Sequence, residues 1–111
     1  MYRWTVVEES LLDNRLLNDL DILSMRISED EDIEDRWHIY DVYISYEDIM
    51  TLSKMIKTWW YMHFWMDNKV LAVFKWKVFE FEHDNKDTWH DAISYGLSIG
   101  IPEHQLDFVI Y

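Results

Sequence analysis

Residues 21–44, DILSMRISEDEDIEDRWHIYDVYI, contain two segments of alternating residues on either side of a strongly acidic one. In the first segment Leu23, Met25 and Ile27 alternate with polar side chains, and residues 37–44 show the same two-residue period. This alternation is typical of half-buried strands joined as a hairpin. The stretch therefore predicts two paired strands, residues 21–28 and 37–44, around which the rest of the sheet is built.

The segment between these strands, residues 28–36, contains six acidic residues and one arginine. No packed face can be built from this composition, so we predict an exposed acidic loop. Its simplest role is that of a solvated surface. A second interpretation is that dense carboxylates imitate a nucleic-acid backbone, which carries one charge per about 1.7 Å of duplex axis, and so bind a basic groove. The predicted partner-binding residues are Glu29, Asp30, Glu31, Asp32, Glu34 and Asp35.

The segments on either side of the hairpin predict further strands and helices. Residues 2–8 alternate as a strand, and the leucines that follow Ser10 predict a helix as far as about Asp19. The sequence Ser45-Tyr-Glu-Asp48 is a capping-box pattern, which predicts a helix over residues 46–57. We then expect a strand over residues 59–66.

The last third of the chain predicts one long strand, a helix and a short strand. Residues 70–81 form the predicted return strand, with a bend near residues 75–77, and a helix begins at Asp87 or Thr88. Residues 106–111 form a final strand. The fold class is therefore α+β: residues 1–111 make a single domain with an antiparallel or mixed sheet of about five to six strands and two to three helices packed on one face.

Composition limits the classes of protein to which the chain belongs. It has 111 residues, is 50% hydrophobic and 17% aromatic, and carries a net charge of −12. The hydrophobic content argues against disorder, and the negative charge argues against direct binding to nucleic acid or to an anionic membrane. There is no cysteine, and the start of the chain lacks the pattern of a secretory leader, so we expect an intracellular protein.

The charge is divided unevenly along the chain. Residues 1–48 carry a net charge of −10 and residues 78–111 carry −6, whereas residues 49–77 carry +4. The basic middle also contains most of the tryptophans, which are more typical of a core or an interface than of a base-stacking surface in so acidic a protein. The residues predicted for a dimer or hydrophobic interface are Trp59, Tyr61, Trp65 and Trp76. The charge division also allows two copies to associate head to tail.

A group of metal-ligand residues occurs in HDNKDTWHD, which contains His83, Asp84, His90 and Asp91. Histidine and aspartate are ligands for zinc, manganese and iron, so these four residues define an alternative hypothesis, a metal-dependent hydrolase. Their spacing matches no defined zinc motif, and two surface histidines, with acids near a helix N-terminus where the dipole favours them, explain them better. We therefore predict no cofactor and no catalytic residue.

In size, charge, lack of cysteine and aromatic content the chain resembles the small acidic proteins of phages and archaeal viruses, which include inhibitors of restriction and CRISPR systems. The resemblance covers no specific motif. It implies a non-enzymatic viral or mobile-element inhibitor, a DNA mimic that acts in the cytoplasm of an infected cell on a basic nucleic-acid-binding host protein. A homodimeric structural or interaction protein is the alternative, and the metal-dependent hydrolase is a second alternative.

Overall fold

The computed structural model describes residues 1–108 of the chain. They form one six-stranded sheet in which every pairing is antiparallel, in the order β2-β3-β1-β4-β5-β6. This confirms the α+β class. The strands are β1 Tyr2–Val7, β2 Asp21–Ile27, β3 His38–Ile44, β4 Met62–Met66, β5 Lys69–Phe74 and β6 Lys77–Glu82. The α-helices are α1 Tyr46–Met55 and α2 His90–Ser98, and short 3-10 turns span Glu8–Ser10, Asn14–Asp19, Ile33–Asp35, Lys86–Trp89 and Glu103–Gln105.

The predicted hairpin is confirmed, and the first strand of the chain lies in the middle of the sheet. Strands β2 and β3 pair along their length. Ile27 lies opposite His38 at the loop, and Asp21 lies opposite Tyr43 at the other end of the hairpin. Strand β1 pairs with β3 on one side and with β4 on the other, where Arg3 lies opposite Trp65. The sheet therefore joins the acidic hairpin to a second, largely apolar group of strands, β4 to β6.

Helix α1 begins where the capping-box pattern predicts. The Ser45 hydroxyl oxygen accepts a hydrogen bond from the Asp48 backbone N–H at 3.1 Å, which satisfies a free donor of the first turn. Ile49 and Leu52 are fully buried against the sheet, as their spacing along one helix face requires. Sequence periodicity and capping chemistry agree at this helix, which explains why its prediction succeeded.

The two α-helices cover opposite faces of the sheet, whereas the sequence predicted helices on one face. The cause is β5, which is apolar on both faces: Leu71 and Val73 pack in the core under α1, while Val70 and Ala72 pack in the core under α2. Alternating side chains point to opposite faces, so a strand of continuous apolar residues needs cover on both. The first core is Tyr2, Val6, Leu11, Leu17, Val42, Ile44, Ile49, Leu52, Ile56, Met62, Phe64, Leu71 and Val73. The second core is Val70, Ala72, Phe74, Phe81, Trp89, Ala92, Ile101, Leu106 and Phe108.

The predicted helix from Ser10 to about Asp19 is absent, and 3-10 turns occupy that region. Leu11 forms an isolated antiparallel bridge with Ile56, and the Leu12 N–H donates to the Met55 carbonyl at 2.7 Å. The Leu12 N–H and the Ser10 carbonyl, which accepts from the Lys57 N–H at 2.7 Å, are thus paired with the segment at the end of α1 and not along the local chain, so a helix cannot begin at Ser10. Asp13 instead caps the turn that follows, because its carboxylate accepts from the Arg15 N–H at 3.0 Å.

Two further predictions in the C-terminal half need correction. The long return strand over residues 70–81 is two strands, β5 and β6, because the chain reverses at Lys75 and Trp76 and the Trp76 N–H donates to the Ser53 carbonyl at 3.0 Å. Of the predicted final strand over residues 106–111, residues 106–108 are not in a strand, and the rest lie outside the described residues. Phe108 is instead buried in the second core.

Strand β2 is an exposed edge of the sheet. All seven of its residues are exposed, and a bulge between Ile22 and Ser24 interrupts its pairing with β3. Bulges at an edge bend the strand and disturb the ladder that another chain needs for pairing, so this one protects an apolar edge. Its exposed apolar residues are Ile22, Leu23, Met25 and Ile27. Across residues 1–108, no helix reaches the length and apolarity needed to span a membrane.

Candidate functional site

The acidic loop and two of the predicted interface residues, Trp59 and Trp76, lie at the same end of the sheet. Ile27 pairs with His38, Met62 with Val73 and Phe74 with Lys77, so the connections beyond these pairs emerge at the same end. We call it the loop end. The connections that meet there are residues 8–10, 28–37, 56–61 and 75–76, of which the first follows β1, whose Val7 pairs with Ile39.

The acidic loop, residues 28–36, is held in shape by its own hydrogen bonds. The Arg36 guanidinium donates from Nε to the Asp30 carbonyl at 2.7 Å and from Nη2 to the Glu31 carbonyl at 2.9 Å. At its base, the Trp37 N–H donates to the Ser28 hydroxyl at 2.7 Å. The loop's one arginine is therefore bound to backbone carbonyls and neutralises none of the neighbouring carboxylates directly.

All six predicted partner-binding residues are exposed on this loop. Among residues 1–108, none of their carboxylates takes part in a hydrogen bond or an ion pair. Ile33, in the middle of the loop, has 77% of its surface exposed, which adds an apolar contact point among the charges. The loop thus presents a dense negative surface whose charges are not compensated within the described part of the protein.

A second group of polar side chains lies behind the loop, where the Glu8–Ser10 turn meets β3. Glu9 binds His38 twice: its Oε1 accepts from the His38 N–H at 2.7 Å, and its Oε2 lies 2.8 Å from His38 Nδ1. The Tyr40 hydroxyl donates to Glu8 at 2.8 Å. Glu9 and His38 are 29 positions apart, so sequence reasoning had no local signal for this contact, which we call the Glu9–His38 clasp.

The clasp shifts the titration of both partners. Hydrogen bonding to Glu9 raises the pKa of His38 against a small opposing effect of burial. For Glu9, partial burial opposes ionisation, but hydrogen bonds from the His38 ring and backbone hold its pKa below the ordinary value. Within residues 1–108, Glu8, Glu9 and His38 are also the one group of three ligand-type residues close enough to share a metal ion. Hydrogen bonding already explains their positions.

We expect the clasp to make the folded protein more stable at pH 6 than at pH 8. A raised histidine pKa contributes stability that is present below its unfolded value of 6.5 and is lost as pH rises through the folded pKa. The lowered pKa of Glu9 contributes stability that is present above its unfolded value of 4.5 and is lost as pH falls through the folded pKa. The measurement is the melting temperature at both pH values for wild type and His38→Gln. An equal pH difference in the two proteins would show that the clasp does not contribute.

The four residues predicted as alternative metal ligands do not form one ligand group. Asp84 is bound by Asn68, whose amide donates to it at 2.7 Å and whose carbonyl oxygen accepts from its N–H at 3.1 Å. The His83 ring lies against Trp89, and His90 and Asp91 are exposed at the start of α2. No ligand group that includes these residues is found within the described range.

The four aromatic residues predicted as an interface divide into two pairs. Tyr61 and Trp65 are half-buried beside the second core. Trp59 and Trp76 are exposed, by 73% and 66%, and both lie at the loop end. Both also have positive φ angles, 71° and 67°, a backbone conformation that bulky residues rarely adopt.

Comparison with known proteins finds no similarity that assigns this chain to a family. No protein-family model, no curated protein and no solved structure gives a significant match.

Proposed function

We propose that this chain is a non-enzymatic protein that binds the basic surface of a nucleic-acid-handling partner through the acidic loop. The observation that carries the proposal is the loop itself: six exposed carboxylates that form no ion pair with any of residues 1–108, on a segment whose arginine holds the backbone in place. Like charges at this density repel one another, and a basic partner would relieve that repulsion.

The chemistry of the loop favours a partner that normally binds nucleic acid. Such a protein has Lys and Arg spaced to contact successive phosphates, and a row of carboxylates fits the same groups. The net charge of −12 adds long-range attraction, which speeds association. Ile33 offers an apolar contact at the centre of the charged surface, which supports binding at closer range.

The compositional resemblance to small acidic viral proteins supports placing the partner in a host defence system, with inhibition arising because the loop occupies the nucleic-acid site. The metal-dependent hydrolase remains an alternative hypothesis, but it has no converged ligand group among the described residues. The loop geometry therefore supports a binding protein better than it supports a hydrolase.

The proposal is tested by capturing partners and then measuring one of them as a pure protein. Immobilised chain is incubated with cell extract in 50 mM and 500 mM NaCl, and a basic protein retained only at low salt is purified and titrated. We expect Glu29→Gln, Asp30→Asn, Glu31→Gln and Asp32→Asn together to weaken its binding about thirtyfold, since four exposed ion pairs contribute about 2 kcal/mol in all. Duplex DNA should compete with the wild-type chain for this partner.

The matched control removes the same amount of charge elsewhere. Glu47→Gln, Asp87→Asn, Asp91→Asn and Glu103→Gln change four exposed acids outside the loop, and we expect them to alter binding by less than about threefold, because exposed charges more than a Debye length of about 10 Å from a contact are largely screened. Equal weakening by both variants would mean that net charge, and not the loop, determines binding. Unchanged binding by the loop variant would remove the proposal.

A further inference from the structure

Four of the ten basic residues of the chain lie on the other half of the loop end. Lys57 lies in the connection from α1 to β4, Lys75 lies in the turn between β5 and β6, and Lys77 begins β6. Throughout the described range none of these lysines, nor Lys54, takes part in an ion pair, although the chain has more than twice as many acids as bases. We call this surface the Lys–Trp rim. It consists of Lys54, Lys57, Trp59, Lys75, Trp76 and Lys77.

The two tryptophans of the rim are unusual for positions that serve only to turn the chain. Trp59 and Trp76 both have left-handed backbone angles, which glycine and asparagine adopt far more readily. Both side chains are also largely exposed, so burial does not account for a bulky aromatic residue at either position. Exposed tryptophans are typical of contact surfaces, and the lysines beside them add a positive charge that an acidic surface would complement.

The acidic loop and the Lys–Trp rim lie at the same end of the sheet but on opposite sides of its centre. The loop joins β2 to β3, while the rim belongs to the strands β4 to β6, and β1 lies between the two groups. Trp37 and Trp60, whose rings are 5.1 Å apart, form the contact between the two sides. A two-fold rotation about the sheet normal at this end therefore places the loop of one copy against the rim of the other.

We infer that the Lys–Trp rim binds the acidic loop of a second copy of this chain, so that two chains form a symmetric end-to-end dimer. Two observations favour a second copy of this chain as the molecule that binds the rim. The rim and the loop have opposite charge and no ion-pair partners within the described range, and one rotation satisfies both contacts at once, as a two-fold interface requires.

This dimer differs from the one that the sequence analysis considered. That hypothesis joined Trp59, Tyr61, Trp65 and Trp76 in one apolar surface, whereas only Trp59 and Trp76 lie at the loop end. The inference does not depend on the proposed function, because it concerns the purified chain alone. If both hold, the dimer covers the acidic loop, and self-association competes with the basic partner.

The decisive experiment reverses the charge of the loop in one variant and the charge of the rim in another. One variant carries Glu29→Lys, Asp30→Lys, Glu31→Lys and Asp32→Lys, and the other carries Lys57→Glu, Lys75→Glu and Lys77→Glu. Each variant alone presents a loop and a rim of the same sign, so we expect both to be monomers by sedimentation at a concentration where the wild type is a dimer. Mixed together, they present opposite signs at both contacts and should form a mixed dimer. The wild-type dimer should weaken about tenfold or more from 50 to 500 mM NaCl.

The controls distinguish the effect of charge at the rim from the effect of charge elsewhere and from a loss of folding. Lys69→Glu with Lys86→Glu changes two lysines at the opposite end of the sheet, and this variant should dimerise like the wild type. Circular dichroism verifies that each variant is folded. A monomeric wild type at several hundred micromolar, or a failure of the two folded variants to associate when mixed, would overturn the inference. Quenching of tryptophan fluorescence by single-stranded oligonucleotide, without dimerisation, would instead assign the rim to nucleic acid and also overturn it.

Discussion

Replacing Phe64 with alanine is expected to lower the free energy of unfolding by about 3–5 kcal/mol, a large share of the roughly 5–15 kcal/mol that stabilises an ordinary domain. Phe64 is fully buried in the first core, opposite Leu71 on the neighbouring strand. Its ring fills space between the sheet and α1, and the surrounding strands are too tightly paired to close the cavity left behind. Urea denaturation followed by circular dichroism measures the change.

Phe64→Leu is the matched control for this prediction. Leucine keeps most of the apolar volume, so we expect a loss of about 1.5 kcal/mol or less. A Phe64→Ala protein within about 1 kcal/mol of the wild type would show that the first core tolerates a cavity at its centre. That result would contradict the packing described for β4 and β5.

Replacing Phe108 with alanine is expected to cost about 3 kcal/mol and to release the segment that covers the second core. Phe108 is fully buried, and its ring lies 4.8 Å from that of Phe81 and 5.4 Å from that of Trp89. Residues 99–108 have little regular structure, so this contact contributes much of what holds them on the sheet. We expect faster proteolysis within residues 99–108, together with a red shift of tryptophan emission as Trp89 becomes exposed.

The release of this segment distinguishes Phe108 from Phe64. Proteolysis at native conditions, analysed by mass spectrometry, should cleave Phe108→Ala first within residues 99–108, whereas Phe64→Ala should show no such preference. Phe108→Leu should keep most of the protection because leucine retains the apolar contact. Wild-type protection in Phe108→Ala would mean that Ile101, Leu106 and the hydrogen bond from the Tyr61 hydroxyl to the Gln105 carbonyl suffice to anchor the segment.

The parts of the fold that the sequence predicted are those in which local chemistry and tertiary packing agree. The alternation of Leu23, Met25 and Ile27 predicted β2 together with its hairpin, and Ser45 predicted the start of α1. The acidic loop was predicted because six acids in nine residues leave solvent exposure as the only stable placement. Each of these signals lies within about ten residues of sequence.

The predictions that failed depended on contacts between distant residues. Leu11 is drawn into an extended conformation by Ile56, which no local pattern of leucines reveals. The turn at Lys75 and Trp76 contains no glycine, proline or asparagine, so the sequence indicated only a bend there, and the pairing of β5 with β6 shows that the chain reverses fully. The Glu9–His38 clasp and the meeting of loop and rim at one end likewise follow from strand order, which composition cannot supply.

The central position of β1 sets the order in which this sheet can assemble. During synthesis β1 emerges first, yet its two neighbours, β3 and β4, lie about 40 and 60 residues later. The hairpin of β2 and β3 and the meander of β4, β5 and β6 can each form from neighbouring segments, but they become one sheet only when β1 is inserted between them. Because closing such long loops is slow, we regard β1 as the strand whose docking completes folding and limits its rate.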